Sequence, residues 1–267
     1  MLMSFSDGLK ARAEPVTAAD RIKAASADFP RYTSENMPEQ TVKVKLLKFG
    51  KKIDMKAFQE SILYMNTLEH FQKLECCELR GDKDEGLSAI YQAKGGTLSR
   101  QNDKGEFVPV GTIVDKVRYR EKNSAYVNVF CMYALQFYPQ KQCIDKRNFK
   151  FGDTFVLILN PIEFLNRVKR AATQKGIDVH HKLVEYVDRD KHNGPMGPFR
   201  KFKEFSYQNE FRILVSPETQ GPYILNIGDI SDITEQGDLS FENVHSRVFK
   251  RDHMAHNRMK KYNKSVH

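Results

Sequence analysis

The sequence predicts an α+β fold. We expect a single mixed domain with a central, largely antiparallel twisted sheet and short flanking helices, set between an N-terminal arm and a basic C-terminal tail. Three observations predict it. Segments with strand periodicity outnumber helical ones, and only one long helical pattern occurs, from Asn160 to Gly176. Strands and helices do not alternate regularly, as a doubly wound parallel sheet would require. Turn signals at Gly95-Gly96 and Asn102-Asp-Lys-Gly105 join neighbouring strand segments as hairpins do. The predicted boundaries are residues 1–40 for the arm, 41–244 for the domain and 245–267 for the tail.

Taken in order, the arm offers one short helix around Ala18–Ala25, with Thr17 as its N-cap, and little that would build a core. In Val42–Lys48 apolar and basic residues alternate, the period of a half-buried strand. Asp54 is placed to cap a short helix carrying Phe58, a strand follows from Ile62 to Asn66, and Thr67 reads as the N-cap of a helix starting at Leu68. A hairpin is predicted between Thr97–Arg100 and Glu106–Val110. Ala125–Tyr133 reads as a central strand covered on both faces, with Val127, Val129 and Cys131 on one and Tyr126, Phe130 and Met132 on the other. Phe155–Leu159 runs into the clearest helix start in the chain. Asn160 caps it, Pro161 takes the first helical position, and Gly176 closes it, with Ile162, Leu165, Val168 and Ala172 at helical spacing. Further strands are expected near Lys182–Val187, over Tyr207–Val215 and over Tyr223–Ile227.

Composition narrows the function classes. No stretch approaches the roughly 20 apolar residues that span a bilayer, and the first residues lack a basic segment followed by an apolar one. Four cysteines, two of them adjacent, suit reduced thiols rather than a disulfide framework. The expectation is therefore a soluble, cytoplasmic protein without a membrane. Walker, dinucleotide-binding Gly-x-Gly-x-x-Gly and Gly-x-Ser-x-Gly motifs are absent, and no histidine set completes a metal site, so no metal is expected. The formal charge of +9 favours a polyanionic partner. Arg247, Lys250, Arg251, Arg258, Lys260 and Lys261 form a candidate nucleic-acid-binding arm in the tail, which would add affinity and salt dependence without sequence choice.

The most informative stretch is Phe199–Val215. If Tyr207–Val215 is extended, alternation puts Gln208, Glu210 and Arg212 on one face. The plain reading of that pattern is a surface ion pair of Glu210 with Arg212 or Lys203 on an edge strand. Gln208-Asn209-Glu210 also resembles the Gln/Glu-x-Glu element of mono-ADP-ribosyltransferases. With Lys45–Phe49, with Tyr64-Met-Asn-Thr-Leu68 and Phe71, and with Tyr207–Arg212, the chain resembles an uncharacterised bacterial and phage domain family over roughly residues 41 to 216. The resemblance implies an NAD-consuming transferase acting on nucleic acid, RNA before DNA, or on protein, as a toxin or phage-defence effector held off by an antitoxin or chaperone. Glu210 would stabilise positive charge on the ribose, the charge that also builds in glycoside cleavage, and Gln208 would orient the acceptor. Lys48, Tyr64, Asn66 and Thr67 would bind NAD, which is a substrate in this chemistry. The family's first-strand Arg or His is Lys48 here, and its Ser-Thr-Ser triplet is replaced by Asn66-Thr67. A second candidate is the charged loop Arg80–Gly86, whose glycines allow close backbone approach and whose Arg80 suits a phosphate. The alternative to an enzyme is a nucleic-acid-binding or interaction module of a phage or mobile element, using basic and aromatic residues.

Overall fold

The computed structural model describes residues 44–74, 81–120, 125–136 and 144–248. The predicted arm with its helix, Arg80, and Lys250, Arg251, Arg258, Lys260 and Lys261 of the tail lie outside the described residues. Along the chain come β1 (Val44–Gly50), helix α1 (Lys52–Glu60), β2 (Ile62–Thr67), helix α2 (Leu68–Lys73), β3 (Ala89–Tyr91), β4 (Thr97–Gln101), β5 (Phe107–Thr112) and β6 (Val117–Tyr119). They are followed by β7 (Asn128–Gln136), β8 (Thr154–Ile158), helix α3 (Pro161–Thr173), β9 (Val179–Leu183), β10 (Glu185–Val187), β11 (Gly194–Pro195) and β12 (Arg200–Phe202). β13 (Glu210–Val215), β14 (Tyr223–Asn226), β15 (Thr234–Asp238) and a helical segment over residues 241–248 complete the set.

β7 organises the sheet. β13 runs antiparallel to it along one edge, while β2 and then β1 share the other, β2 at Asn128–Val129 and β1 from Tyr133 to Gln136. Beyond β1 lie β8 and β15, beyond β2 lies β14, and beyond β13 lies β9, all antiparallel. The fold is thus α+β with a mainly antiparallel sheet, as the sequence predicts; the parallel pair β10–β12 stands apart from it.

Strand alternation then decides what each face buries. Leu46, Leu63, Met65, Phe130, Met132 and Ile213 point to one face, where they meet Met55 and Phe58 of α1 and Phe164 and Val168 of α3. On the other face, Leu47, Phe49, Tyr133 and Phe155 meet Val244 and Val248. Val129 and Leu214 there pack with Leu68 and Phe199. A satellite cluster of Leu87, Ile90, Val187, Met196 and Phe202 ties the small strands β3, β10 and β12 together. Among the described residues no helix is long and apolar enough to cross a membrane.

Local signals place several elements. The Asn160 side chain accepts from Glu163 N at 3.1 Å and Pro161 opens α3. Thr67 accepts from His70 N at 3.1 Å and caps α2. Other expectations need correction. Asp54 lies inside the first turn of α1 and caps nothing; Lys52 N donates to Asp153, 101 residues away, at 2.8 Å. Ile162 is exposed, because the buried stripe of α3 runs through Phe164, Val168, Ala171 and Ala172. The strand expected near Lys182–Val187 is broken into β9 and β10 at Val184. Residues 245–248, assigned by sequence to the tail, continue the last helical segment, and Val248 is fully buried.

Candidate functional site

The residues singled out on the late strand meet, but not as alternation predicts. β13 begins only at Glu210. Gln208 ends a 3-10 turn, and Asn209 between them is left-handed, with φ 40°. Asn is among the few non-glycine residues that take this conformation readily, and its side-chain amide here donates to Ala134 O. Gln208 therefore does not sit beside Glu210 on a strand face. Both meet instead at Lys201, whose Nζ donates to Gln208 Oε1 at 2.7 Å and to Glu210 Oε1 at 2.9 Å.

Around this contact lies a buried charge cluster. Arg212 donates through Nε to Glu210 Oε2 at 2.7 Å and grips Glu85 with both terminal nitrogens, at 2.8 and 2.7 Å. It also donates to Pro198 O at 2.6 Å, and Glu210 N donates to the Tyr186 hydroxyl at 2.8 Å. Lys201 Nζ stands 3.7 Å from Glu85 and 3.9 Å from Asp82. The expected ion pair of Glu210 and Arg212 thus exists, but it is buried on an interior strand between β7 and β9, and the lysine involved is Lys201 rather than Lys203.

Three carboxylates face two cations here, and position decides how each titrates. For Glu210 burial opposes the charge, but Arg212 and Lys201 outweigh it and hold the carboxyl far below the usual glutamate range. For Lys201, burial likewise opposes the charge while Glu210 and Glu85 raise its pKa. Asp82 has the weakest compensation. Burial first, then repulsion from Glu85, pushes it up to about 6, against the lowering pull of Lys201. Cys131 of β7, opposite Arg212 of β13, is pushed up to about 12 by burial and by Glu210, so its thiol stays protonated.

The remaining predicted ligands are dispersed. Lys48 shares the Leu46 face of β1, which puts the sheet between its side chain and Glu210. Its Nζ donates to Cys131 O at 2.7 Å and lies 4.3 Å from the centre of the Phe130 ring. It thereby fills the gap that β1 and β2 leave along β7. Tyr64 and Asn66 point to the same face as Glu210, but β2 leaves β7 after Asn66 and Thr67 and pairs Tyr64 with Ile224, where the ring is half exposed. Thr67 is occupied as a helix cap. Arg247 pairs with Glu235 at 2.6 Å and donates to Gln236 O at 3.2 Å, which ties it to β15. Among the described residues no group of His, Cys, Asp or Glu is placed to hold a metal ion.

The loop from Gly81 to Leu87, part of the second candidate, proves central. It carries Asp82 and Glu85 into the buried cluster and turns on Gly86, where φ is +69°. Its outer side carries Lys83 and Asp84. With Leu87, Arg118 and Arg120 they line an open cavity of about 280 Å³. Asp84 is buried and accepts from Arg189, which also pairs with Glu204 and stacks 3.9 Å from the centre of the Phe202 ring. Arg120 donates to Lys83 O at 2.8 Å, whereas its buried Nε has no hydrogen-bond partner among the described residues. Arg118 and Arg120 are missed by the sequence reading. Their signal is the alternation in Val117-Arg-Tyr-Arg120, a short strand with basic residues on one side.

The chain matches no known protein family, no curated protein and no solved structure with which it was compared.

Proposed function

We propose that this protein binds the phosphate backbone of a nucleic acid at the mouth formed by Lys83, Arg118 and Arg120. One observation carries the reading: the buried Arg120 Nε lacks a partner among the described residues, beside two further cations that line the same cavity. A buried unsatisfied donor costs about 1–3 kcal/mol, more when charged, and a phosphate oxygen relieves that cost with a charge-assisted bond. The cavity is lined mainly by charged residues and is slightly below the roughly 300–1,000 Å³ of small-molecule sites. It suits a phosphate group with its sugar better than a whole dinucleotide. The formal charge of +9 supports the same partner class.

The test is the affinity of the full chain for RNA and DNA oligonucleotides across a salt series. Arg118→Ala with Arg120→Ala is expected to weaken binding and flatten the slope of log affinity against log salt by roughly one per lost contact. An unchanged slope removes this mouth from nucleic-acid binding.

NAD-dependent ADP-ribosyl transfer is the second reading, favoured by the three buried carboxylates Asp82, Glu85 and Glu210, the first two on the loop that also carries Lys83 and Asp84. It requires Glu210 to leave Lys201 and Arg212 when substrate arrives. The toxin or defence role, and a neutralising partner, go with that chemistry. Incubation with adenylate-labelled NAD and cellular RNA, DNA or protein decides between them. Label transferred by the wild type and lost in a folded Glu210→Gln variant would replace the binding reading.

A further inference from the structure

We infer that Asp84 is a specificity-determining residue that accepts the ribose 2′-hydroxyl beside the bound phosphate, so that the mouth selects RNA over DNA. The inference rests on the phosphate-binding reading above and adds the sugar to it.

The mouth is not uniformly basic. Among its three cations stands one carboxylate, that of Asp84, which would repel a bare phosphate. Its two oxygens are used unequally. Oδ2 accepts from Arg189 Nη1, a cation that balances the Asp84 charge. Oδ1 forms only a longer ion pair, 3.5 Å from Arg118 Nε and beyond ordinary hydrogen-bonding distance, and carries no hydrogen bond among the described residues. The loop backbone fixes the side chain's base: Asp84 N donates to Asp82 Oδ1 at 2.9 Å and Leu87 N donates to Asp84 O at 3.1 Å.

An ionised carboxylate is an acceptor only. Its ligand must therefore present a donor next to the group that Arg118 and Arg120 bind. Along a nucleic-acid backbone, the donor adjacent to each phosphate is the ribose 2′-hydroxyl, which DNA lacks. Three donors for a phosphate and one acceptor for a neighbouring hydroxyl are the complement of a ribose phosphate. A site built to bond a hydroxyl discriminates against the ligand without it, because Oδ1 is then left with only its long contact to Arg118.

The experiment measures binding of the full chain to three oligonucleotides of one sequence: single-stranded RNA, single-stranded DNA and 2′-O-methyl RNA. The methyl ether keeps a substituent on the sugar and removes only the donor. RNA is expected to bind roughly ten-fold more tightly than either of the others, the worth of one hydrogen bond to a charged group. Asp84→Ala is expected to collapse that ratio towards one. Arg189→Met removes one of the two ion pairs of Asp84 but leaves the carboxylate, so the ratio should survive in it. Equal, salt-sensitive affinity for all three oligonucleotides would overturn the role of Asp84 while leaving phosphate binding standing. So would a ratio that persists in Asp84→Ala. Failure of all three to bind would remove both readings together.

Discussion

At the scale of single residues, Asp82 is the buried carboxylate that the cluster compensates least. Burial and Glu85 raise it to about 6, so its proton is held more tightly folded than unfolded. The stability this contributes is complete below the unfolded aspartate pKa and is lost as pH rises through about 6. Glu210 has the opposite sign. Its lowered pKa stabilises the fold above the ordinary glutamate range, and that contribution is lost as pH falls well below it. Asp82→Asn separates the two, because an amide keeps the acceptor for Asp84 N and discards the charge. We expect this variant to be more stable than wild type by about 1–3 kcal/mol at pH 7.5, and no more stable near pH 4. Urea unfolding at the two pH values checks it. A gain that is the same at both would show that charge at Asp82 is not its origin.

At the scale of elements, the contact between β1 and the turn before β8 admits no side chain. A Cβ on Gly152 would lie 2.0 Å from Gly50 O, which itself accepts from Asp153 N at 3.1 Å. That approach lets Asp153 cap α1 through Lys52 N. Gly152→Ala must therefore open the β1–β8 register and release the cap, since backbone cannot yield as a flexible side chain does. We expect a loss of about 2–4 kcal/mol, near the upper range for single substitutions, read as a lower urea midpoint. At Gly176, where Cβ would meet nothing within 4 Å but φ is +69°, Ala should cost less, about 1 kcal/mol. Equal losses at the two glycines would remove steric contact as the cause at Gly152.

At the scale of the whole molecule, the end of the domain falls later than the charge pattern suggests. Val244 and Val248 close the cluster around Phe155, and Lys45 donates to Val248 O. Truncation after Val244 removes a fully buried valine and should destabilise the fold by about 1.5–3 kcal/mol. Truncation after Val248 should leave stability unchanged while removing Lys250, Arg251, Arg258, Lys260 and Lys261. The salt slope of nucleic-acid binding by this second variant therefore isolates the tail from the mouth. A slope equal to that of the full chain would exclude the tail from binding. A fall in stability in the second variant as large as in the first would move the boundary beyond Val248.

The sequence by itself determined what local chemistry controls. Asn160-Pro161 and Thr67 announced their helices, Asn102–Gly105 announced its hairpin, and the alternation of Val127, Val129 and Cys131 assigned the faces of the central strand. Each rests on bonds or side-chain directions within a few residues. It also marked Glu210, Arg212 and the loop with Asp82 and Glu85 as charged, without any way to know that they are buried together. Burial of Arg212 follows from the enclosure of β13 between β7 and β9, and its partner Glu85 lies 127 residues away. Only tertiary structure decided that Lys48 points through the other face, that Asn209 turns Gln208 off the strand, and that Lys201 joins Gln208 to Glu210. It also brought Arg118 and Arg120 to the loop carrying Lys83 and Asp84, through the pairing of β6 with β3 and the bond from Arg120 to Lys83 O. Charge compensation in a buried site depends on distance in space, which chain alternation fixes within a strand and not between strands.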